Sequence, residues 1–241
     1  METLIFIPTY NEAENIGNLI EQLQDLKLDL DILIVDDESK DDTIEIIKRK
    51  QQKYDNIHLI VRKGKKGRGL AGRVAFQYFS NSKYDILVEM DADLSHNPKY
   101  IPKILNEFPE YDVVIGSRLI AGGGEEGRSI YRRFITIISN LLIKILFRTS
   151  IKDCTSGLRA FKKQVVNKFD LNHFFSTQVS IVEEILYACI LLDVKIKEIP
   201  ITFYERSTGT SKLNLKRILK TLLAIFKIIN RNKKIINWQN F

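Results

Sequence analysis

Two aspartates separated by one small residue give this sequence its clearest chemical signal. Asp91 and Asp93 follow the apolar run Ile86-Leu87-Val88, at the point where a buried strand would end. Residues i and i+2 of a strand point to the same side, so the two carboxylates would converge on one ligand. Converging carboxylates repel each other, and a hard divalent cation neutralises them. Such a pair also occurs by chance in acidic loops, so its meaning depends on the rest of the chain.

Length, charge and cysteine content narrow the class of protein. The 241 residues are 44% hydrophobic, enough for one sizeable α/β domain or two small ones. The net charge of +7 favours an anionic partner, either nucleic acid, a phosphate-bearing substrate or a membrane surface. The two cysteines lack metal-site spacing and predict a reducing compartment. The first apolar run stops at Pro8, which predicts a strand and not a signal peptide. The sequence contains no uncharged apolar run long enough to predict a membrane span.

Apolar runs alternate with helical segments through the first half of the chain. Five runs rich in Ile, Val and Leu predict buried strands at residues 4–7, 32–35, 57–61, 86–90 and 113–115. Asn11 and Glu14 predict a capping box for the first helix. This alternation indicates an α/β fold, a mostly parallel sheet with helices on both faces. Right-handed crossovers then place the C-terminal ends of the strands along one edge, where ligands bind in such sheets.

Polar segments follow four of the five predicted strands. They are Pro8-Thr9-Tyr10-Asn11-Glu12, Asp36-Asp37, Asp91-Ala92-Asp93 and Gly116-Ser117-Arg118. Any one of them could be an ordinary turn or helix cap. Together at one edge they form an acidic group with one arginine, which suits a metal-bound diphosphate and a polar ring system.

With Asp36-Asp37 extended to Ser39 and Asp91-Ala92-Asp93 to Ser95, these segments resemble the hallmarks of family 2 glycosyltransferases with a GT-A (Rossmann-like) fold. The chain is most similar to the polyprenyl-phosphate branch, which includes the dolichyl-phosphate mannose synthases. Residues 153–161, and residues 198–201 with 206–212, strengthen that resemblance, which runs from residue 4 to about residue 225. We therefore expect a catalytic domain over residues 1–213, with an interfacial helix at about 128–148, and a C-terminal amphipathic membrane-associating helix and tail over residues 214–241.

The resemblance implies a role for individual residues. The donor would bind Pro8, Tyr10, Glu12, Val35, Asp37, Asp91, Ala92, Asp93, Ser95, Arg206 and Lys212. Asp91 and Asp93 would hold Mg²⁺ or Mn²⁺ and, with Arg118, form the catalytic group. Ser95 stands where many relatives have glutamine and would reach the metal through water. The acceptor phosphate would bind Arg118, Arg132 and Thr136, and Arg133 is close enough to exchange roles with Arg132.

The implied reaction is the inverting transfer of mannose from GDP-mannose to a polyprenyl (dolichyl) monophosphate at the cytoplasmic face of a membrane. UDP-glucose is the alternative donor, and a non-lipid acceptor is a further alternative. The leaving diphosphate gains negative charge as the sugar C1–O bond breaks, and a divalent cation with Arg206 and Lys212 would stabilise it. A phosphate acceptor is already ionised at neutral pH, so the reaction needs no strong general base. Whether a membrane-anchor subunit takes part is left open.

Two amphipathic segments predict a peripheral membrane protein. In the first, a polar stripe lies opposite an apolar one, which fits either a surface helix packed on the core or a helix lying on the bilayer. The polar stripe is Arg133, Thr136, Asn140, Lys144 and Arg148, and the apolar stripe is Ile135, Ile138, Leu142 and Ile145. In the second segment, residues 215–231, four basic residues on one side would add roughly 1 kcal/mol each near an anionic leaflet.

Three other functions fit parts of the sequence. The basic run 63–68 would suit a nucleic-acid binder, but the acidic strand ends would repel phosphate backbones and no nucleic-acid motif is present. We therefore expect no nucleic-acid partner and interpret the run as a solvated turn near the nucleotide pocket. A phosphatase with Asp36 or Asp37 as nucleophile lacks its downstream lysine motif. A membrane scaffold without activity would not need the intact charged motifs.

Overall fold

The structure, a computed structural model, describes residues 1–205 and 215–230, with side chains described over 1–205 and 223–230. The strands are Thr3–Thr9 (β1), Leu30–Asp36 (β2), Ile57–Val61 (β3), Ile86–Glu89 (β4), Val113–Ser117 (β5), Gly124–Glu126 (β6), Arg159–Lys162 (β7), Ile196–Pro200 (β8) and Thr202–Tyr204 (β9). The α-helices are Ile16–Gln24 (α1), Thr43–Gln51 (α2), Arg68–Ser80 (α3), Ile101–Leu105 (α4), Ile130–Phe147 (α5), Lys163–Val166 (α6), Ile181–Leu191 (α7) and Leu215–Asn230 (α8).

The main sheet has the strand order β3-β2-β1-β4-β7-β5-β8. Its strands pair in parallel except for β7, which runs antiparallel to both β4 and β5. The mostly parallel sheet and all five predicted strands are confirmed. The sequence analysis misses β7, β8 and a separate parallel pair formed by β6 and β9. These short strands lack the continuous apolar runs by which the first five are recognised.

Alternation along the central strands produces a hydrophobic layer on each face of the sheet. In β1, Leu4 and Phe6 pack with α3 and α7 on one face, whereas Ile5 and Ile7 pack with α1 and α4 on the other. All four side chains are fully buried. Burying an aliphatic or aromatic side chain of this size stabilises a fold by roughly 1.5–3 kcal/mol. The predicted cover of helices on both faces is therefore confirmed, and it fixes the strand ends that carry the polar segments.

The loops after β1, β2 and β4 lie side by side, and we call them together the acidic edge (residues 8–12, 36–39 and 91–95). Each contains one residue in the left-handed region, Asn11 at φ +55°, Glu38 at +57° and Leu94 at +60°. Non-glycine residues rarely adopt this conformation, and it clusters where a loop must present groups in a fixed direction. The predicted capping box is wrong, since α1 begins at Ile16 and the Asn11 side chain accepts the Lys40 N–H at 2.8 Å.

The β6/β9 pair is attached to the acidic edge through backbone contacts. Phe203 of β9 forms an antiparallel bridge with His96, and the Tyr204 N–H donates to the Ser95 carbonyl at 3.0 Å. Strand β6 leads into α5 through residues 127–129. The first turn of α5 is thereby held close to the acidic edge, although it is distant in sequence.

Candidate active site

A cavity of about 140 Å³ opens at the acidic edge. Seven of the residues predicted to bind the donor line it, namely Pro8, Tyr10, Glu12, Asp37, Asp91, Ala92 and Asp93. The remaining lining residues are Thr9, Arg68 and Ala71. Val35 is fully buried in the hydrophobic core beside α3, and Ser95 is buried beside Asp93. Arg206 and Lys212 lie outside the described residues.

The loop after β4 holds the Asp93 carboxylate in one orientation. Its Oδ1 accepts the hydroxyl of Ser95 at 2.6 Å and the Ser95 N–H at 3.2 Å. The left-handed Leu94 between them turns the chain so that both donors reach the same oxygen. Ser95 therefore positions Asp93, and its contact with a metal through water stays a prediction.

Asp91 lies between a guanidinium group and an imidazole ring. Nη2 of Arg68 is 3.0 Å from its Oδ1, and Nδ1 of His96 is 3.7 Å from its Oδ2. The same Arg68 nitrogen donates to Glu89 at 3.3 Å. Burial lowers the pKa of His96 below its usual value, which leaves the ring uncharged at neutral pH. Among the described residues, Arg68 is thus a cation that pairs directly with Asp91.

The sequence analysis misses Arg68, because it interprets the basic run 63–68 as a solvated turn. That interpretation holds for the exposed Lys63 and Lys65 and is wrong for Arg68, whose side chain is largely buried. The flanking glycines were the available signal. A Cβ at Gly67 or Gly69 would lie 2.1 or 2.2 Å from a backbone oxygen of residues 176–177, so the start of α3 packs directly against that segment.

The charges around the cavity fit a divalent cation. Four carboxylates act on the Arg68 charge, those of Glu89, Asp91, Asp93 and Glu183. Among the described residues, Arg68 and Arg159 are the guanidinium groups that act on Glu89 and Glu183. Asp91 and Asp93, which line the cavity, are the two of the four carboxylates that a bound cation would reach. Burial raises the pKa of Glu89, and Arg68 opposes that rise. Within the described residues no three His, Cys, Asp or Glu side chains are arranged as a metal site. Mg²⁺ on a nucleotide needs only one or two carboxylates, with phosphate oxygens and water as further ligands.

Asp37 and Tyr10 form the end of the cavity predicted to hold the nucleobase. One oxygen of Asp37 pairs with Arg62, and the other accepts the Gly67 N–H at 2.5 Å. The Tyr10 ring is about half exposed, and the Nζ of Lys66 lies 4.0 Å from its centroid. The basic run therefore borders this end of the cavity through the side chain of Lys66 and the backbone of Gly67, with Arg62 directly before it.

A second group of charges lies beyond the acidic edge, at the start of α5. We call Arg118, Arg128 and Arg132, with the carboxylates that pair with them, the arginine cluster. Arg118, predicted to clamp phosphate, is almost completely buried. Its Nε is 3.0 Å from the Asp153 carboxylate, and its Nη2 donates to the Thr155 hydroxyl at 2.7 Å. Its guanidinium carbon lies 5.0 Å from the centre of the Phe203 ring.

The other two arginines share a carboxylate. Arg128 donates to Glu125 at 2.5 Å and lies 3.3 Å from Glu205, and Arg132 pairs with the same Glu205. The Thr136 hydroxyl donates to the Arg132 carbonyl at 3.1 Å and is buried. The structure thus brings Arg132 and Thr136 together one turn apart and adds Arg128, which the sequence analysis does not name.

Helix α5 turns two residues of its polar stripe, Thr136 and Asn140, toward the interior, whereas Ile138 and Ile145 of its apolar stripe are exposed. Of the two alternatives that the sequence left open, this does not fit a helix whose apolar stripe packs on the core. Asn140 is buried, where it accepts the Cys154 N–H at 2.6 Å, and Thr136 is buried beside it. The exposed large hydrophobic side chains of this helix are Ile130, Tyr131, Phe134, Ile137, Ile138, Leu141 and Ile145. We call this set the outer face of α5. The side chain of Phe134 is 60% exposed and that of Leu141 55%, which is unusual for a contiguous apolar surface in water.

Helix α8 extends the exposed apolar surface. Ile225 and Ile228 are buried in the core, whereas Leu223 and Phe226 are exposed. The basic residues at 216, 220 and 231 fall outside the described side chains, and Lys227 is exposed. None of the helices in the described part of the chain has both the length and the apolar character of a membrane span.

Comparison with known proteins identifies the family. Residues 4–169 match the Glycosyl transferase family 2 domain. Among similar proteins, the undecaprenyl-phosphate mannosyltransferase of Micrococcus luteus is 34% identical over 89% of this chain and 88% of its own length. The polyprenol monophosphomannose synthase of Mycolicibacterium smegmatis is 32% identical over 94% of this chain and 85% of its own. The dolichol-phosphate mannosyltransferase of Pyrococcus furiosus is 34% identical over 95% and 64%.

Solved structures with low sequence identity share the fold. Glucosyl-3-phosphoglycerate synthase from Mycobacterium tuberculosis, in complex with Mn²⁺ and UDP-glucose, superposes with a TM-score of 0.68 at 16% identity, covering 98% of this chain and 80% of that one. Mannosyl-3-phosphoglycerate synthase from Rubrobacter xylanophilus gives 0.62 at 15% identity, covering 96% and 74%. The sheet order, the acidic edge and these likenesses agree with the domain match, and the chain belongs to glycosyl transferase family 2 with a GT-A fold.

Proposed function

We propose that this protein transfers a mannosyl group from GDP-mannose to a polyprenyl monophosphate, with inversion at the sugar carbon, while bound to the cytoplasmic surface of a membrane. The observation that carries the proposal is the adjacency of three features, the acidic edge, the arginine cluster and the outer face of α5. They would serve the donor, the acceptor phosphate and the lipid respectively. The polyprenyl-phosphate mannosyl transferases among its relatives support the same reaction.

At the acidic edge, the nucleotide sugar would bind in the cavity with its diphosphate toward Asp91 and Asp93. These two carboxylates would hold Mg²⁺ or Mn²⁺, which when bound offsets the charge that the leaving diphosphate gains. Ser95 keeps Asp93 in place, and Arg68 keeps Asp91 in place from the opposite side. Tyr10 and Asp37 would receive the base and its ribose at the far end of the cavity.

At the arginine cluster, the acceptor phosphate would bind with its free oxygen directed at the sugar carbon. A phosphate monoester is ionised at neutral pH, so the attacking oxygen needs positioning and no proton removal. Guanidinium groups suit this task, because their planar N–H pairs match the oxygens of a phosphate. Arg118 is fixed by Asp153 and Thr155, which gives a rigid cation at the border with the acidic edge.

The outer face of α5 would lie on the bilayer and bring the arginine cluster to the headgroup level. Its exposed side chains include three aromatic or branched residues in the first two turns, Ile130, Tyr131 and Phe134, directly beside Arg132. A helix with an apolar face and basic residues at its border binds in the plane of the interface. An acceptor with its chain in the membrane and its phosphate at the surface would then meet Arg132 without leaving the lipid.

The decisive experiment supplies labelled GDP-mannose and labelled UDP-glucose in parallel, with vesicles that contain or lack polyprenyl phosphate, and with Mg²⁺, Mn²⁺ or a chelator. We expect label from GDP-mannose in an acid-labile lipid, only with polyprenyl phosphate and a divalent cation present. If UDP-glucose labels the lipid instead, the proposed donor is wrong and the proposed acceptor still holds. Label in a soluble sugar or protein, with none in the lipid, would show that the acceptor proposal is wrong.

A further inference from the structure

Within the described residues, the ion pairs of the arginine cluster balance each other, although the cluster is the predicted place for an anion. Its three guanidinium groups face three carboxylates, those of Glu125, Asp153 and Glu205. A phosphate that entered the intact cluster would meet as much negative as positive charge. Withdrawal of one carboxylate would leave these three guanidinium groups with a net positive charge for the phosphate.

Glu205 is the carboxylate placed to withdraw. Its side chain is 23% exposed, whereas that of Glu125 is 7% exposed and that of Asp153 is fully buried. Asp153 also accepts the backbone N–H of Arg118 at 3.1 Å, which fixes it in the loop before β7. The Glu205 backbone N–H donates to the Glu126 carbonyl at 3.0 Å, so its main chain is held and only the side chain needs to rotate.

The position of Glu205 also matches that of an anionic ligand. Its two oxygens are divided between Arg128 and Arg132, with Oε2 at 3.3 Å from Arg128 Nε and Oε1 paired with Arg132 Nη1. Two oxygens of a phosphate monoester can replace the two carboxylate oxygens between these guanidinium groups. The Nε of Arg128 has no hydrogen-bond partner among the described residues, so a better-aligned anion would gain a bond there.

We propose that Glu205 occupies the phosphate position of the arginine cluster when the acceptor is absent, and that the phosphate monoester of the acceptor displaces it. The carboxylate keeps Arg128 and Arg132 extended and in register for the ligand. The Glu205 carboxylate also lowers the affinity of the cluster for any phosphate, because free energy is needed to displace the carboxylate. The identity of the acceptor in this inference rests on the proposed function. The role of Glu205 rests only on its ion pairs with Arg128 and Arg132.

The test compares the wild-type protein with Glu205→Gln and with the control Glu126→Gln. Both substitutions remove one negative charge, but Glu126 is exposed and lies on β6 beside the cluster. Binding of inorganic phosphate is measured by isothermal titration, and the KM for polyprenyl phosphate in vesicles is measured by mannosyl transfer. We expect Glu205→Gln to tighten phosphate binding and lower this KM by about tenfold, with Glu126→Gln close to wild type.

The two arms separate the role of Glu205 from the identity of the acceptor. Tightening in both arms supports displacement by a lipid-borne phosphate. If Glu205→Gln tightens the binding of inorganic phosphate but leaves the KM for polyprenyl phosphate unchanged, the role of Glu205 is supported and a lipid-borne phosphate is not the ligand that displaces it. Phosphate binding that is unchanged or weaker in Glu205→Gln, or equally tightened in Glu126→Gln, overturns the proposal. If Glu205 had only a structural role, its replacement would weaken phosphate binding, so the direction of the change in affinity is decisive. Thermal unfolding of each variant confirms that it is folded.

Discussion

The acidic edge and the arginine cluster lie next to each other but are built in different ways. The acidic edge consists of loops that directly follow the central strands β1, β2 and β4. The nearby Ser95 orients Asp93, and the segment 62–68 holds Asp37 and Asp91. The arginine cluster joins residues from β6, α5 and the segment after β9, and ion pairs between distant parts of the chain hold it together. One is therefore fixed by the core and the other by its own charges.

The difference suggests how the two regions respond to change. The strand-end loops are anchored to the most buried part of the sheet, so a substitution there should alter chemistry without moving the backbone. In the arginine cluster each guanidinium group contacts a carboxylate, so removal of one member releases another. We expect large and specific losses of activity from the acidic edge, and smaller, coupled changes from the arginine cluster.

The largest effect is expected from Asp93→Ala. Loss of one of the two carboxylates proposed to bind the metal should lower the transfer rate roughly a thousandfold, because a bound metal contributes several kcal/mol to stabilisation of the leaving group. The fold should remain intact, since Asp93 lies in a loop at the surface of the cavity. Initial rates of lipid labelling and Mn²⁺ binding by calorimetry measure the two consequences. The exposed Asp55→Ala serves as the control, and unchanged Mn²⁺ binding by Asp93→Ala would remove Asp93 from the metal site.

Arg68→Met, a substitution in α3 directly beside the acidic edge, should lower the stability of the fold. Glu89 is 1% exposed, and without Arg68 its carboxylate loses the guanidinium group that donates to it. Removing one partner of such a buried pair costs about 3 kcal/mol, or roughly 6–12 °C in unfolding temperature for a chain of this size. Thermal unfolding followed by circular dichroism measures the loss.

The double variant Arg68→Met, Glu89→Gln separates stability from chemistry. It removes the unpaired charge, so most of the lost stability should return. Mannosyl transfer should stay low, because Asp91 still lacks the cation at 3.0 Å. Recovery of both properties together would show that Arg68 serves the fold alone.

Much of the acidic edge could be predicted from the sequence, because its residues follow strands that are recognisable as apolar runs. The runs at 4–7 and 32–35 give the strand ends, and the parallel sheet brings the polar residues after them together. The contribution of Arg68 depends on the close approach of α3 to residues 176–177. That contact joins parts of the chain a hundred residues apart, and periodicity contains no trace of it.

The arginine cluster and the orientation of α5 could be predicted from the sequence only in part. Periodicity separates the polar from the apolar stripe of α5, but it leaves open whether the apolar stripe faces the protein core or a bilayer. The buried side contains Thr136 and Asn140, because the amide of Asn140 satisfies the backbone of the Cys154 loop. The carboxylates of Glu125 and Glu205 belong to β6 and the end of β9, short strands whose pairing has no sequence signature.

The outer face of α5 offers a way to separate membrane binding from donor binding. Phe134→Asp and Leu141→Asp should each weaken binding to anionic vesicles by about tenfold, since each side chain would bury apolar surface worth more than 1 kcal/mol in the bilayer. Flotation of the protein with vesicles measures this, and calorimetric binding of GDP should be unchanged. Leu28→Asp, an exposed apolar residue before β2, is the control. Equal flotation of all four proteins would exclude this face of α5 from the membrane contact.

The smallest effect is expected at Phe203, the residue that touches both regions. Its ring packs edge-on against the ring of His96, with 5.6 Å between centroids, and the guanidinium carbons of Arg118 and Arg128 lie 5.0 and 5.5 Å from its centre. Phe203→Leu keeps an apolar side chain but removes the ring face that attracts both cations, an interaction worth about 0.5–1 kcal/mol. The KM for polyprenyl phosphate should rise about two- to fivefold.

Phe203→Tyr keeps the ring and should restore the wild-type KM, which distinguishes attraction of the cations from simple packing. The KM for GDP-mannose should stay constant in both variants, because the two arginines belong to the arginine cluster and not to the cavity. If Phe203→Leu instead raised the KM for the donor, the ring would act mainly through His96 on Asp91. The acidic edge and the arginine cluster would then form one coupled unit, because a change at β9 would be transmitted to the carboxylates after β4.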